Sequence, residues 1–581
     1  MRRYLRLLAV LIPGLVVVPA VATTSGTKLD AALAQLPAPG KALGQVSVIV
    51  RTTSAPTRTN LDEFASLGGR YRCTFRSFPG FAGTVPVGRL SDLASRRWVK
   101  GVSSDARVRK MLDVTAPAIG ADVAWSTLEL TGRGVTIAVL DSGITEHGDF
   151  VNPPVSGDDW KKCPSRVIGG ADWTKDKVEG RFKDNDKCGH GTDVAGIIAG
   201  NGLMTVWYKG HDPKDDPQFY RHFVGIAPEA ALVNCRVLDK EGFGYVSDVV
   251  AAIEWCVENA ALYNIEVINL SLGHPIAESY TTDPLCQACE YAWTHGIVVV
   301  VAAGNWGRAG YSSILSPAND PYVITVGATN TYGTPDRSDD HICAYSGRGP
   351  TAIDHILKPD LVAPGNRIVS ARDRDSFLDK LFKDTNVVPT DSYEGRPHGN
   401  PRDESAYFVL SGTSMSAAVV SGAAALMLQQ DPTLTPDTVK TRLMLTAEKW
   451  PSYGPLWQGA GYLSVPAALS STVQSLTPAA SPPVVATDDG GVAIDPQPGA
   501  VDANNIVWDP RTSPGTRAAG MYASEPVSEV YQPARDPFWT SWQPYPWWPE
   551  WACTAGLSDV DIFGEDYPSY VGKHGPKPPK N

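Results

Sequence analysis

Residues 297–305 read IVVVVAAGN. Five β-branched residues follow one another without a polar break, so a strand here has no solvent face and must be covered on both sides. Strands of that kind belong to parallel sheets flanked by helices. The same pattern recurs outward in GVTIAVLD (134–141), AALVNCRVLD (230–239), IEVINLSLG (265–273) and YVITVGAT (322–329). Between these lie helix-like stretches, GTDVAGIIAG (191–200), VSDVVAAIEWCVENA (246–260) and CQACEYAWTHG (286–296). The expectation is an α/β fold of three layers with a mostly parallel central sheet over residues 115–470, its functional residues at the carboxyl ends of the strands.

The flanks differ from this body. Residues 1–26, MRRYLRLLAVLIPGLVVVPAVATTSG, place arginines before an apolar run and small residues at Ala20 and Ala22. That order reads as a signal peptide over 1–22, and no later segment has the roughly 18 uncharged apolar residues of a membrane span. Residues 28–112 then read as a small α/β module: strand GQVSVIVRT, helix NLDEFASLGG, strand and helix in FAGTVPVGRLSDLAS, and a closing strand VKGVSSDARVRKM. After Ser470, residues 471–537 are rich in Pro, Ala and Gly and read as a flexible linker. The last segment, 538–581, carries FWTSWQPYPWWPEWACT, whose prolines forbid a regular helix and whose tryptophans suit sugar stacking or an interface. Two polar stretches, 205–223 and 372–405, read as surface insertions in the body.

A net charge of -11 without a stripe of Lys and Arg disfavours nucleic acid as a partner. No heptad or charge run calls for a fixed oligomer, so the chain reads as a monomer. The nine cysteines leave their pairing open. Cys286 and Cys289 form a C-x-x-C without the second pair that a zinc site wants.

Chemistry concentrates in SGTSMSAAVVSG (411–422), where Ser414 stands at a helix start after a glycine turn. A serine hydroxyl attacks only when a base takes its proton and fixed dipoles receive the oxyanion. VTIAVLDSG ends a strand at Asp141, a carboxylate able to orient an imidazole; DKCGHGTDVAG puts His190 at a glycine-flanked helix start. The amide of Ser414 is one oxyanion donor and Asn305, in VVVVAAGNWG, is a second. Singly, such residues are commonplace caps and turns. Together they supply nucleophile, base, orienting acid and oxyanion donors.

In this order the motifs AVLDSGI, GHGTDVAG, GIAPEAAL, INLSLG, VAAGN, KPDLVAPG, SGTSMSAAVVSG and GAGYLSV resemble those of the subtilisin-like serine peptidases, the subtilases. The resemblance implies a subtilisin-like fold and a secreted serine endopeptidase with Asp141, His190 and Ser414 catalytic and Asn305 in the oxyanion hole. It implies substrate-binding walls at Ser271, Leu272 and Gly273 and at Ala302, Ala303 and Gly304, with Leu315 near a pocket floor where the family often has glycine. The module at 28–112 resembles a subtilase propeptide, implying a cis inhibitor removed near 108–118. Protein or peptide substrates and the chain's own propeptide are then the partners. No cofactor is required for the chemistry, and a structural calcium is compatible but has no ligands that can be placed. The chain departs from the family at Asp193, where His is usual, and at Ala418, where Pro is usual. Asp193 is expected to face away from the site, and Cys188 to pair with Cys163 as a loop staple. The rival readings are a binding protein on an inactive peptidase scaffold, and a surface- or polysaccharide-binding protein with an accessory peptidase domain.

Overall fold

The computed structural model of the protein describes residues 28, 29, 33, 45–75, 78–104, 114–152, 160–175, 185–206, 221–393, 401–450, 452–486 and 492–494. The segment expected to be a signal peptide, residues 105–113, most of the expected linker and the tryptophan-rich segment lie outside them. The chain divides into two units, Met1–Asp105 and Ala106–Asn581.

The first unit is a four-stranded antiparallel sheet with two helices. Its strands β1 (Gln45–Thr52), β2 (Arg70–Thr74), β3 (Gly80–Pro86) and β4 (Val99–Ser104) lie in the order β2-β3-β1-β4. Along β1 the alternation of sequence becomes alternation of burial, and Val46, Val48 and Val50 pack on Phe64, Phe81 and Leu93. Helix α1 (Arg58–Ser66) opens with a capping box in which Thr57 and Asn60 each accept from the other's amide. Helix α2 (Leu90–Ser95) buries Leu90 and Leu93. The strands and helices expected here are found, the closing strand as far as Ser104 with its expected remainder outside the described residues, and the strand Arg70–Thr74 is an addition that the sequence reading missed.

The second unit is built on an eight-stranded sheet. Strands β5 (Thr136–Asp141), β6 (Val167–Asp172), β7 (Ala231–Arg236), β8 (Ile265–Leu270), β9 (Val298–Ala302), β10 (Ile324–Asn330), β11 (His341–Ile342) and β12 (Leu361–Pro364) run in the order β11-β10-β9-β8-β5-β7-β6, with β12 beside β10. Every pairing is parallel except β10 with β11. All residues of β5, β9 and β10 are buried, as unbroken apolar strands require. The expected α/β fold with a mostly parallel sheet is therefore the one found.

Helices α3 (His190–Ala199), α4 (Val246–Glu258), α5 (Pro284–Thr294), α6 (Thr413–Gln430) and α7 (Pro436–Leu445) are the main helices of this unit. Sixteen consecutive residues of α6, Thr413 to Leu428, are buried, because small side chains such as Ala417, Ala418 and Gly422 let neighbours close in from all sides. The Ala418 position continues the helix without a break.

Two boundaries move. The polar stretch 372–405, read as an insertion loop, contains a helix over Phe377–Asn386, capped by Ser376 and burying Leu378 and Phe382. Residues 471–486, read as the start of a flexible linker, pack on the body: Ser481 and Val484 are buried, and the Ser481 and Val484 amides donate to Pro321 O and His355 O at 2.9 and 2.8 Å. The apolar Ala479 and Val484 and the hydroxyl of Ser481 are the anchors that a composition reading averages away.

Under this strap, Lys440 Nζ donates to the carbonyls of Pro321, Tyr322 and Val323. Asp320 lies at the same turn, its Oδ1 accepting from the Tyr322 amide at 2.7 Å. Burial pushes the Asp320 carboxyl up to about 7, opposed by the Tyr322 amide and raised further by Glu290. A raised carboxyl contributes stability at low pH that is lost as pH climbs toward the folded value. Wild type should therefore lose stability from about pH 4 to about pH 7 through this group. Asp320→Asn should flatten that decline, as read by urea unfolding at stepped pH in a Ser414→Ala background.

Candidate active site

Three helix and strand ends meet at the carboxyl edge of the sheet. Asp141 is the last residue of β5 and fully buried. Its Oδ1 accepts from His190 Nδ1 at 2.8 Å and from the Ser142 amide at 2.7 Å. Its carbonyl accepts from the amides of Val237 and Leu238 at 2.9 and 3.1 Å, tying β5 to the end of β7.

His190 opens α3 behind Gly189, which holds φ +98° as N-cap. The turn is latched by Asp186, which sequence reasoning overlooked. Asp186 Oδ1 accepts from the amides of Cys188 and Gly189 and from Ser142 Oγ, and Oδ2 from the amide and hydroxyl of Thr192. One buried carboxylate thus satisfies the otherwise unpaired amides of the helix start. Burial pushes Asp186 up, opposed by these donors. The signal was available four residues before His190, where an acid in DKCGHGT precedes a helix start.

Gly191 fixes how closely α3 approaches β5. A Cβ there would stand 2.2 Å from Gly143 O and 3.1 Å from Asp141 Cβ. The imidazole reaches the carboxylate because neither backbone carries a side chain at the crossing.

Ser414 is the second residue of α6, after Gly412 at φ +152°. Its carbonyl accepts from Ser271 Oγ at 3.0 Å, and Ser271 Oγ accepts from Asn269 Nδ2 at the same distance. Ser414 Oγ donates to Ser271 O at 3.3 Å. Asn305 is oriented by Thr413, whose amide and hydroxyl donate to Asn305 Oδ1 at 2.9 and 3.0 Å. Thr413 also accepts from the Gly304 amide, so one threonine sets both sides of the turn.

His190, Ser414 and Asn305 line a single cleft of about 220 Å³. Ser271, Leu272, Gly273, Ala302 and Gly304 line it too. Ala303 does not: it is fully buried beneath the wall, with its carbonyl accepting from the Leu315 amide at 3.2 Å. The Ala303 amide donates to Val326 O at 3.0 Å, so both of its backbone groups are committed to the body rather than to the cleft. Leu315 lies between the walls. A Cβ on Gly304 would meet Leu315 Cγ at 2.7 Å, and one on Gly273 would meet Leu315 Cβ at 3.1 Å.

Cys188 lines the cleft yet is buried, and no disulfide joins it to Cys163. The expected staple is absent. Burial pushes the Cys188 thiol well above its ordinary value, with Asp186 and Asp141 adding to the rise, so it stays protonated. Asp193 is also fully buried and is not part of the cleft lining. Among the described residues no group of three or more His, Cys, Asp or Glu is arranged to hold a metal ion. None of the described helices is long and apolar enough to cross a membrane.

The sequence profile of the subtilase family matches residues 132–478. The chain belongs to the subtilase family. It is similar to the serine protease AprX of Bacillus subtilis, with 37% identity over 373 residues that cover 62% of this chain and 72% of AprX. It is also similar to subtilisin DY of Bacillus licheniformis, 30% identical over 58% of this chain and 91% of that protein, and to subtilisin E of Bacillus subtilis, 29% identical over 66% and 80%. This subtilase is a serine-type endopeptidase.

Asp186→Ala should loosen the start of α3 without emptying the core. The expected result is a loss of about 10²-fold in kcat, since a small misplacement of a catalytic base has that effect. Peptide hydrolysis measured beside an unchanged far-ultraviolet circular dichroism spectrum checks it.

Proposed function

We propose that this subtilase is an exported endopeptidase, made as an inactive precursor, that cleaves peptide bonds with Ser414 as nucleophile. The observation that carries the reading is the 2.8 Å bond from His190 Nδ1 to Asp141 Oδ1 in a cleft shared with Ser414 and Asn305. With Nδ1 committed to the carboxylate, His190 Nε2 is the basic nitrogen. It takes the Ser414 proton as Oγ attacks the scissile carbonyl, while Asp141 stabilises the imidazolium. The Ser414 amide, at the start of α6, and the Asn305 amide group receive the oxyanion. His190 then returns the proton to the departing amine, and a water repeats the sequence to free the acyl group.

Backbone groups of Ser271–Gly273 and Ala302–Gly304 offer an extended peptide the pairing of an added strand. Leu315 shortens the recess between them, which favours small side chains just before the cleaved bond. Residues 1–22 act as the export signal, and residues 28–112 act as the inhibitory propeptide. The compact antiparallel unit of Met1–Asp105 supports this second role.

Two experiments test the reading. Wild type should shed its N-terminal module and digest casein, while Ser414→Ala should do neither, with kcat down about 10⁶-fold as known for subtilisin itself. Asn305→Ala, in protein matured in trans, should lose about 10²–10³-fold, again the figure known for subtilisin. An active Ser414→Ala protein would sink the assignment. For Leu315, a library of peptides varied before the cleaved bond should show wild type preferring Ala or Ser and Leu315→Gly shifting toward Leu or Phe. An unchanged preference would remove Leu315 from the pocket.

A further inference from the structure

Cys235 and Cys256 meet in the core between the sheet and α4. Cys235 is the penultimate residue of β7 and Cys256 lies near the end of α4. Both are fully buried, and their sulfurs are 3.5 Å apart. The register sets Cys235 beside Leu140, one residue before the pairing of Asp141 with Arg236. Between the two cysteines runs the rim of the cleft: Leu238, Phe243 and Tyr245 line it, as does Val246 at the start of α4. This rim is otherwise held by Asp239, whose Oδ1 accepts from the amides of Glu241 and Phe243.

We propose that Cys235 and Cys256 form a cystine when the chain folds in an oxidising medium, closing the rim into a covalent loop. The sulfurs need to approach from 3.5 Å to about 2.05 Å. The oxidant is a small disulfide such as oxidised glutathione. Each cysteine gives up its thiol hydrogen; the two electrons and two protons reduce the glutathione disulfide to two thiols as the Sγ–Sγ bond forms. Burial pushes the Cys235 thiol well above its ordinary value, so the folded pair is slow to react. The bond therefore forms during folding, before the core closes, and resists reduction afterwards. Its effect falls on the segment that joins the strand beside Asp141 to the helix that borders the cleft.

The test uses the full chain carrying Ser414→Ala, so that neither autolysis nor peptidase activity enters the result. The protein is recovered from the medium, or refolded in a mixture of reduced and oxidised glutathione, then denatured, alkylated without reduction and digested. A peptide joining Cys235 to Cys256, lighter by two hydrogens than the sum of the free peptides, is the expected product. Recovery of both as alkylated free cysteines, or of either joined to another cysteine, overturns the proposal. In the active enzyme, denaturation and refolding with a reductant present should speed heat inactivation by about tenfold. The double variant Cys235→Ala, Cys256→Ala should show no such response to the reductant. An equal response in the double variant overturns the assignment to this pair, whatever its own stability.

Discussion

Helix α6 is buried along sixteen consecutive residues, and this constraint decides where the proposed nucleophile can stand. A helix enclosed on all sides can offer chemistry only at an end, and its N-terminus is the end that presents amide hydrogens. Ser414, second in the helix, is the serine that lines the cleft beside those amides. The remaining requirement is a base, and the sheet dictates where one can stand. In a parallel sheet the strands end on a common edge, so Asp141 of β5, the turn after β8 and the turn after β9 all arrive where α6 begins. The site is a consequence of layer packing before it is a matter of catalytic side chains.

The approach of α3 to this edge is set by absent side chains and one carboxylate. Gly191 and Gly143 leave backbone against backbone, where a single Cβ would overlap a carbonyl at 2.2 Å. Asp186 holds the same turn by accepting from three amides and two hydroxyls. Sterics permit the approach and the hydrogen bonds fix its direction, so His190 has one orientation relative to Asp141.

Much of this was legible in the sequence because unbroken β-branched runs have no alternative but a doubly covered strand. The strand-ending Asp141, the glycine-flanked His190 and the helix-starting Ser414 followed from that, and the structure brings them to one edge. Features that depend on contacts distant in sequence were not legible. Asp186 is the exception, overlooked although four of its five donors lie within six residues of it and only Ser142 is distant. Ala303 belongs to a cleft motif yet is buried, because its amide and carbonyl are taken by Val326 and Leu315, which are distant in sequence. The helix at Phe377–Asn386 hides in a charged stretch, since its few apolar residues gain their partners only from the body. Cys188 and Cys163 share a polar region in sequence, but a loop's reach does not specify which cysteine it brings near.

Three carboxyls, Asp141, Asp186 and Asp193, lie buried around His190, and their hydrogen bonding differs. Charge in a dry interior persists only where donors compensate it. Asp141 has the imidazole and an amide, and Asp186 has five donors. Neither oxygen of Asp193 has a hydrogen-bond partner among the described residues, and burial pushes its carboxyl well above the ordinary range, with Asp141 and Asp186 adding to the rise. The His190 imidazole opposes that rise, and burial outweighs it. An acid one turn beyond His190 thus carries the cost of a buried carboxyl with no hydrogen-bond partner among the described residues.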